Sequence, residues 1–323
     1  MLPSPAECLW RRAASGTLAQ MLRFSLPLRR FLLQLHRTGQ GAWTNDVLGQ
    51  AKGAAYSAIL SFFPALIVMT AAVSYAPDTA TLMGNISAAF IQILPPGTAP
   101  LLLSFMQPGS GRPLRLIISA VIATLLSASG VMTTLMESFR RAYNLPLTLW
   151  SGWKRAGIAF ALVPLSIIPL TIMSVLVVFG HQIGQWLVLN SGREMHSSVM
   201  LLQTALRWLF AMLTSVMVLA IVYHFGVPRT QSWRCVLPGS WLATAIWFPA
   251  TVAFGWYVTR YANYSVVYGS LGAGIALLIW LYIIMISIMI GAEFNAQVFP
   301  KNVADPDIRS MTAKDDPVAE RRA

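Results

Sequence analysis

The run LGAGIALLIWLYIIMISIMIGA, from Leu271 to Ala292, contains no Asp, Glu, Lys or Arg. A bilayer crossing takes about 20 mostly apolar residues, and a helix that is apolar on every side belongs in lipid or at the centre of a bundle. Outward from it, the rest of the chain repeats the pattern. Ala54 to Tyr75 sits in an uncharged stretch between Lys52 and Asp78. Leu114 to Met136 has Arg112 and Arg115 at its start and Glu137 at its end. Gly157 to Gly180, Val199 to Tyr223 and Val236 to Val258 follow, the fourth interrupted only by Arg207.

Composition agrees. Of 323 residues, 56% are apolar and 11% are charged, against about 25% charged in an ordinary soluble domain. Mean hydropathy is +0.62. Six spans use about 120 residues, and no hydrophilic stretch is long enough for a separate folded catalytic domain. The expected fold is therefore an all-α integral membrane protein: six transmembrane helices plus short interfacial amphipathic helices. Residues 1–52 form a basic cytoplasmic arm, 53–298 the membrane domain, and 299–323 a disordered cytoplasmic tail with few apolar residues.

Two apolar stretches read as lying on the membrane. In Leu28 to Arg37, the residues Leu28, Phe31, Leu32 and Leu35 share one helical face while Arg29, Arg30 and Arg37 occupy others. Residues 79–111 are uncharged, but Pro95, Pro96, Gly97 and Pro100 cut them into pieces too short to cross, which predicts an external hairpin. Residues 1–23 lack the apolar core of a cleavable signal, so the first span is expected to direct insertion.

The formal charge of +12 could suggest nucleic acid, but its distribution points elsewhere. With both termini in the cytoplasm, eighteen of the 23 Lys and Arg fall in inner segments and four in outer ones, Arg207 being the remainder. That is a strong positive-inside bias, and no nucleic-acid partner is expected. Trp150, Trp153, Tyr223 and Trp233 flank the inner ends, and Trp186, Trp256, Tyr257 and Tyr261 the outer ones. Cys8 and Cys235 are too few for a disulfide framework and are read as free thiols.

Enzymatic constellations are missing from the sequence: it has no phosphate loop, no paired zinc cysteines, no His-Glu-x-x-His and no nucleophile elbow. The four histidines are scattered over both sides, so no metal site and no cofactor are expected. Ionisable groups in the membrane are the first functional suspects. Arg207 is one, although Trp208 to His224 alone could span, which would leave Arg207 at the outer interface. Glu293 ends the sixth span, and Glu137 ends the second with Arg140 and Arg141 at i+3 and i+4, so either glutamate is a cap or ion pair, or carries a proton or solute. Pro64, Pro164, Pro169 and Pro249 interrupt spans, as in transporter sites but also in ordinary membrane helices. Ser57 with Ser61, and Ser127, Gly130 and Thr134, make small-residue faces, either packing seams or solute paths.

Two blocks carry a family resemblance. Tyr56-Ser-Ala-Ile-Leu-Ser61-Phe-Phe-Pro64 is the first. The second runs from Val227-Pro-Arg229 through Leu237-Pro-Gly239, Tyr264 and Tyr268-Gly-Ser-Leu-Gly272 to Leu281-Tyr282 and Gly291-Ala-Glu293-Phe-Asn295. Over about residues 40–298 the chain resembles the YihY/virulence factor BrkB family, some of whose members carried an early label of ribonuclease BN. The resemblance implies a six-span bacterial inner-membrane protein of poorly defined activity, with transport or envelope roles suggested for some members and no agreed catalytic residues. Its recurrent positions here are Pro64, Gly239, Tyr268, Gly269, Gly272 and Glu293.

Three functions follow as expectations. The first is transport or export of a small solute or lipid across the inner membrane, using Glu293, Glu137 and Arg207, with Pro64, Tyr268, Gly269 and Gly272 as structural-switch positions. The second is a lipid-binding envelope scaffold, with a homo-oligomer compatible with either. The third, a ribonuclease, is disfavoured because RNA cleavage needs a positioned acid/base pair or a metal at an accessible surface.

Overall fold

The computed structural model describes residues 31–74, 114–169, 196–229, 231–260 and 270–300, with scattered positions between 79 and 106. Among them every regular element is helical, and there is no strand. Helix α1 covers 31–44, α2 Val47–Ser74, α3 Leu114–Ala142, α4 152–169, α5 His196–Gly226, α6 Trp233–Arg260 and α7 Ser270–Val298. A 3-10 turn at Leu147–Leu149 lies between α3 and α4.

Five helices are long and apolar enough to cross a membrane: α2, α3, α5 from Trp208, α6, and α7 from Leu271. The third expected span is described only as far as 169, within α4, so six crossings are compatible with the fold. The expected external hairpin, the arm before residue 31 and the tail after 300 lie largely or wholly outside the described residues.

The helices overrun the apolar runs, and mostly at one end of the bundle. Helix α2 begins at Val47 rather than Ala54, α3 continues past Met136 to Ala142, and α7 past Ala292 to Val298. Hydropathy alone stops at the first charge. The helices go on because the polar residues there find partners, as described below.

Helix α7 is the hub, packed on α6 and α2 and touching α3. Its lack of a polar face suits that place. Helices α2 and α3 pair antiparallel along their small residues: a side chain added at Gly53 would meet Thr134, and one added at Gly130 would meet the Ser57 hydroxyl. The Ser57 and Gly130 stripes are thus a packing seam, where close approach maximises dispersion contact in lipid. Helix α4 joins through Ala159 and Leu162, which pack with Met136 and Ile221.

Helix α1 is no isolated surface helix. Its inward residues Gln34, Leu35, Thr38, Gly41, Ala42 and Asn45 follow helical spacing, while Leu32, Leu33 and Trp43 are exposed. Phe31 meets Phe294 edge to face with ring centroids 6.1 Å apart. The turn into α2 uses Asp46 at φ 52, a left-handed conformation that Asp tolerates better than most residues, and its carboxylate accepts from Gly49 N–H at 3.1 Å.

Candidate functional site

The C-terminal turns of α7 carry Gly291-Ala-Glu-Phe-Asn295, all buried. At 100° per residue, Glu293 points about 200° away from both Gly291 and Asn295. One segment therefore serves two neighbours, α6 on one side and α1 with α2 on the other.

The α6 side is a backbone splice. Pro238 lacks an N–H and its ring disturbs the preceding turn of α6. Asn295 binds the backbone on either side of it from the next helix: its Oδ1 accepts from Gly239 N–H at 2.6 Å, and its Nδ2 donates to Val236 C=O at 3.0 Å. The backbones are so close that a Cβ on Gly239 would overlap Gly291 C=O, and one on Gly291 would lie 2.5 Å from both Gly239 C=O and the Tyr223 hydroxyl. Only glycine allows that approach. Tyr223 itself donates to Ile288 C=O at 2.6 Å, pinning α5 to α7.

Glu293 faces the other way and is 0% exposed. Its Oε1 accepts from Asn45 Nδ2 at 2.7 Å, and Oε2 has no hydrogen-bond partner among the described residues. A Cβ on Gly41 would come within 2.8 Å of that oxygen, so the α1 backbone closes over the carboxyl. Gln50 extends the polar group by donating to Asn45 C=O at 2.6 Å, while its own Oε1 is buried without a partner. No described cation forms an ion pair with Glu293.

Glu137, at the end of α3, is the opposite case. Arg140 grips it from the same helix, Nη2 to Oε1 at 2.6 Å and Nε to Oε2 at 3.0 Å. Arg141 adds a contact at 3.2 Å, and Arg155 of α4 another at 3.5 Å. Arg140 Nη1 also donates to Leu145 C=O at 2.5 Å, and Asn144 at φ 50 turns the chain out of the helix. A cleft of about 10 Å³, room for one water, lies among Glu137, Arg140, Trp150 and Arg155. This is a helix-end ion-pair cluster with every carboxylate oxygen satisfied.

The remaining candidates separate from these two. Pro64 is half-buried within an unbroken α2, and Gly272 is buried in the first turn of α7, at the far end from Glu293. Arg207 lies within α5, but its side chain is outside the described residues, as are Tyr268 and Gly269 entirely. His224 stacks on Trp233 with ring centroids 4.2 Å apart. Among the described residues, no three of His, Cys, Asp and Glu gather where a metal could be held. Sequence reasoning did not single out Asn45, Gly41 or the splice role of Asn295. The available signals were Pro238-Gly239 inside an apolar run and Asn295 four residues after Gly291.

These features define a multi-pass helical membrane protein with a carboxyl buried at one end of its bundle. The family model described as virulence factor BrkB matches residues 38–315, and the chain belongs to that family. It is similar to the ribonuclease-like protein YfkH of Bacillus subtilis (strain 168), at 34% identity over 77% of this chain and 89% of that protein. A UPF0761 membrane protein of Pseudoalteromonas atlantica is 22% identical over 75% of this chain and 77% of its own length. A UPF0761 membrane protein of Alkalilimnicola ehrlichii is 39% identical over 26% of this chain, and the match spans only 18% of that relative. No solved structure matches the chain.

Proposed function

We propose that this protein moves a small solute or lipid across the bacterial inner membrane, with both termini in the cytoplasm, and that it is not an enzyme. The observation that carries this reading is Glu293, a wholly buried carboxyl with one oxygen unpartnered among the described residues, inside a bundle of membrane helices. Ionisable groups at membrane depth cost several kcal/mol and are kept where an ion or cargo uses them. The excess of Lys and Arg in the segments at the Glu293 end supports placing that end in the cytoplasm.

The test is reconstitution into proteoliposomes with a panel of labelled solutes and fluorescent phospholipid analogues. The intact protein is expected to carry at least one of them faster than empty vesicles do. Glu293→Gln should lower that flux by about tenfold or more, as loss of an essential proton or charge step would, and Glu137→Gln should leave it unchanged. Equal flux in the intact protein and Glu293→Gln overturns the assignment.

A second reading, an envelope scaffold that binds lipid, draws on the same end of the molecule. The bundle closes tightly around Glu293, and Trp153 is 92% exposed beside Lys154 and Arg155, a pattern suited to anionic headgroups. No flux for any compound in the panel, with retained binding to anionic vesicles, favours it.

A further inference from the structure

We infer that Glu293 is a proton-binding site roofed by α1, so that loss of the proton undocks that helix. The inference concerns the bound ion and the moving part, and it holds whatever the cargo.

The geometry selects a proton over a metal cation. A sodium ion would need several oxygen ligands around it, whereas Asn45 presents its N–H to Oε1 and the Gly41 backbone crowds Oε2. A neutral carboxylic acid fits: Oε1 acts as the carbonyl that accepts from Asn45, and Oε2 carries the hydrogen. Deprotonation breaks the Oε2–H bond, delivers the proton to water at this end of the bundle and leaves a carboxylate with one hydrogen bond in a dry site. An unpaired buried charge is far costlier than a buried neutral acid, so the anion gains by lifting α1 and meeting water.

Among the described residues no cation compensates the charge, and the neighbouring Gln297 amide and Tyr143 hydroxyl are neutral groups. Helix α1 brings His36 and Arg37, both exposed, and α2 brings exposed Lys52, with exposed Asp46 capping it. Helix α6 contributes exposed Arg234 and the partly buried thiol of Cys235. The loop between α5 and α6 supplies Arg229, which lies 4.3 Å over the Tyr143 ring and reaches Phe299 C=O at 3.4 Å. None of these forms an ion pair with Glu293. What holds the roof down is modest: the Asn45 bond, the Phe31–Phe294 contact and the inward face of α1. A gap of a few kcal/mol is within reach of one buried charge.

The test uses the full chain in lipid nanodiscs with Cys8 and Cys235 changed to Ser. Thr38 is buried on the inward face of α1, whereas a side chain at Gly39 would meet nothing within 4 Å. Maleimide labelling of Thr38→Cys is measured relative to Gly39→Cys, which cancels the thiol's own pH dependence. That ratio is expected to rise about tenfold from acid to alkaline medium and to stay low at every pH with Glu293→Gln. Infrared spectra should show a protonated-carboxyl band that fades over the same pH range and is missing from Glu293→Gln. A pH-dependent rise that persists in Glu293→Gln places the switch elsewhere, for example on His36, and overturns the inference. So does a transition that moves when sodium is replaced by choline, or the lack of any carboxyl band attributable to Glu293.

Discussion

Two glutamates end two membrane helices at the same end of this molecule, and they have opposite surroundings. Glu137 keeps 23% of its side chain exposed and is gripped by Arg140, Arg141 and Arg155. Glu293 is fully buried and is held by a single amide from Asn45, 248 residues away in sequence. Position along a helix does not set the chemistry of a carboxyl. What matters is whether cations arrive with it, and whether another element shuts out water.

Substitutions can break or sharpen this contrast, measured as thermal stability and monodispersity in detergent. The largest effect is expected at the seam that supports Glu293. Gly291→Leu drives a side chain into Gly239 C=O and the Tyr223 hydroxyl, and should cost more than about 3 kcal/mol or abolish a folded species. A stable Gly291→Leu protein would show that α6 and α7 do not approach as described. Asn295→Ala takes the partner from Gly239 N–H beside Pro238, while Val236 C=O keeps the Ser240 hydroxyl, for an expected loss of about 1–3 kcal/mol. Asn45→Ala removes the one hydrogen-bond partner of Glu293 among the described residues and should lose about 1–3 kcal/mol, with Glu293→Gln in the same background recovering part of it. If no recovery is seen, the carboxyl is not what makes Asn45 matter. Glu137→Gln sits last, at about 1 kcal/mol or less, because its cluster is partly wet and the arginines can turn to solvent. That small loss should shrink further in high salt, whereas the Asn45→Ala loss should not.

Much of this was legible along the chain, and the exceptions are instructive. The uncharged runs located all five membrane-length helices, and the i+3, i+4 spacing of Arg140 and Arg141 announced the Glu137 cluster. The Ser57 and Gly130 stripes were read as small faces, but only the fold made them partners. The expected spans stopped short of the helix ends: the polar residues that continue α7 are satisfied by Asn45 and α6, far away in sequence, and those that continue α2 and α3 find partners largely close by along the chain. The most consequential miss was Asn45: an asparagine near the end of a basic arm gives no sign that it will meet Glu293.

The amino-acid sequence by itself determined that this chain is a bundle of membrane helices. In hydrocarbon each backbone N–H and C=O must be satisfied within the protein, and long uncharged runs leave the helix as the economical solution. Which face of α7 meets which neighbour, and hence that Asn295 binds the α6 backbone while Glu293 lies dry beneath α1, was decided by tertiary structure. Those contacts join residues separated by most of the chain, and only close packing of whole helices brings them within hydrogen-bonding range.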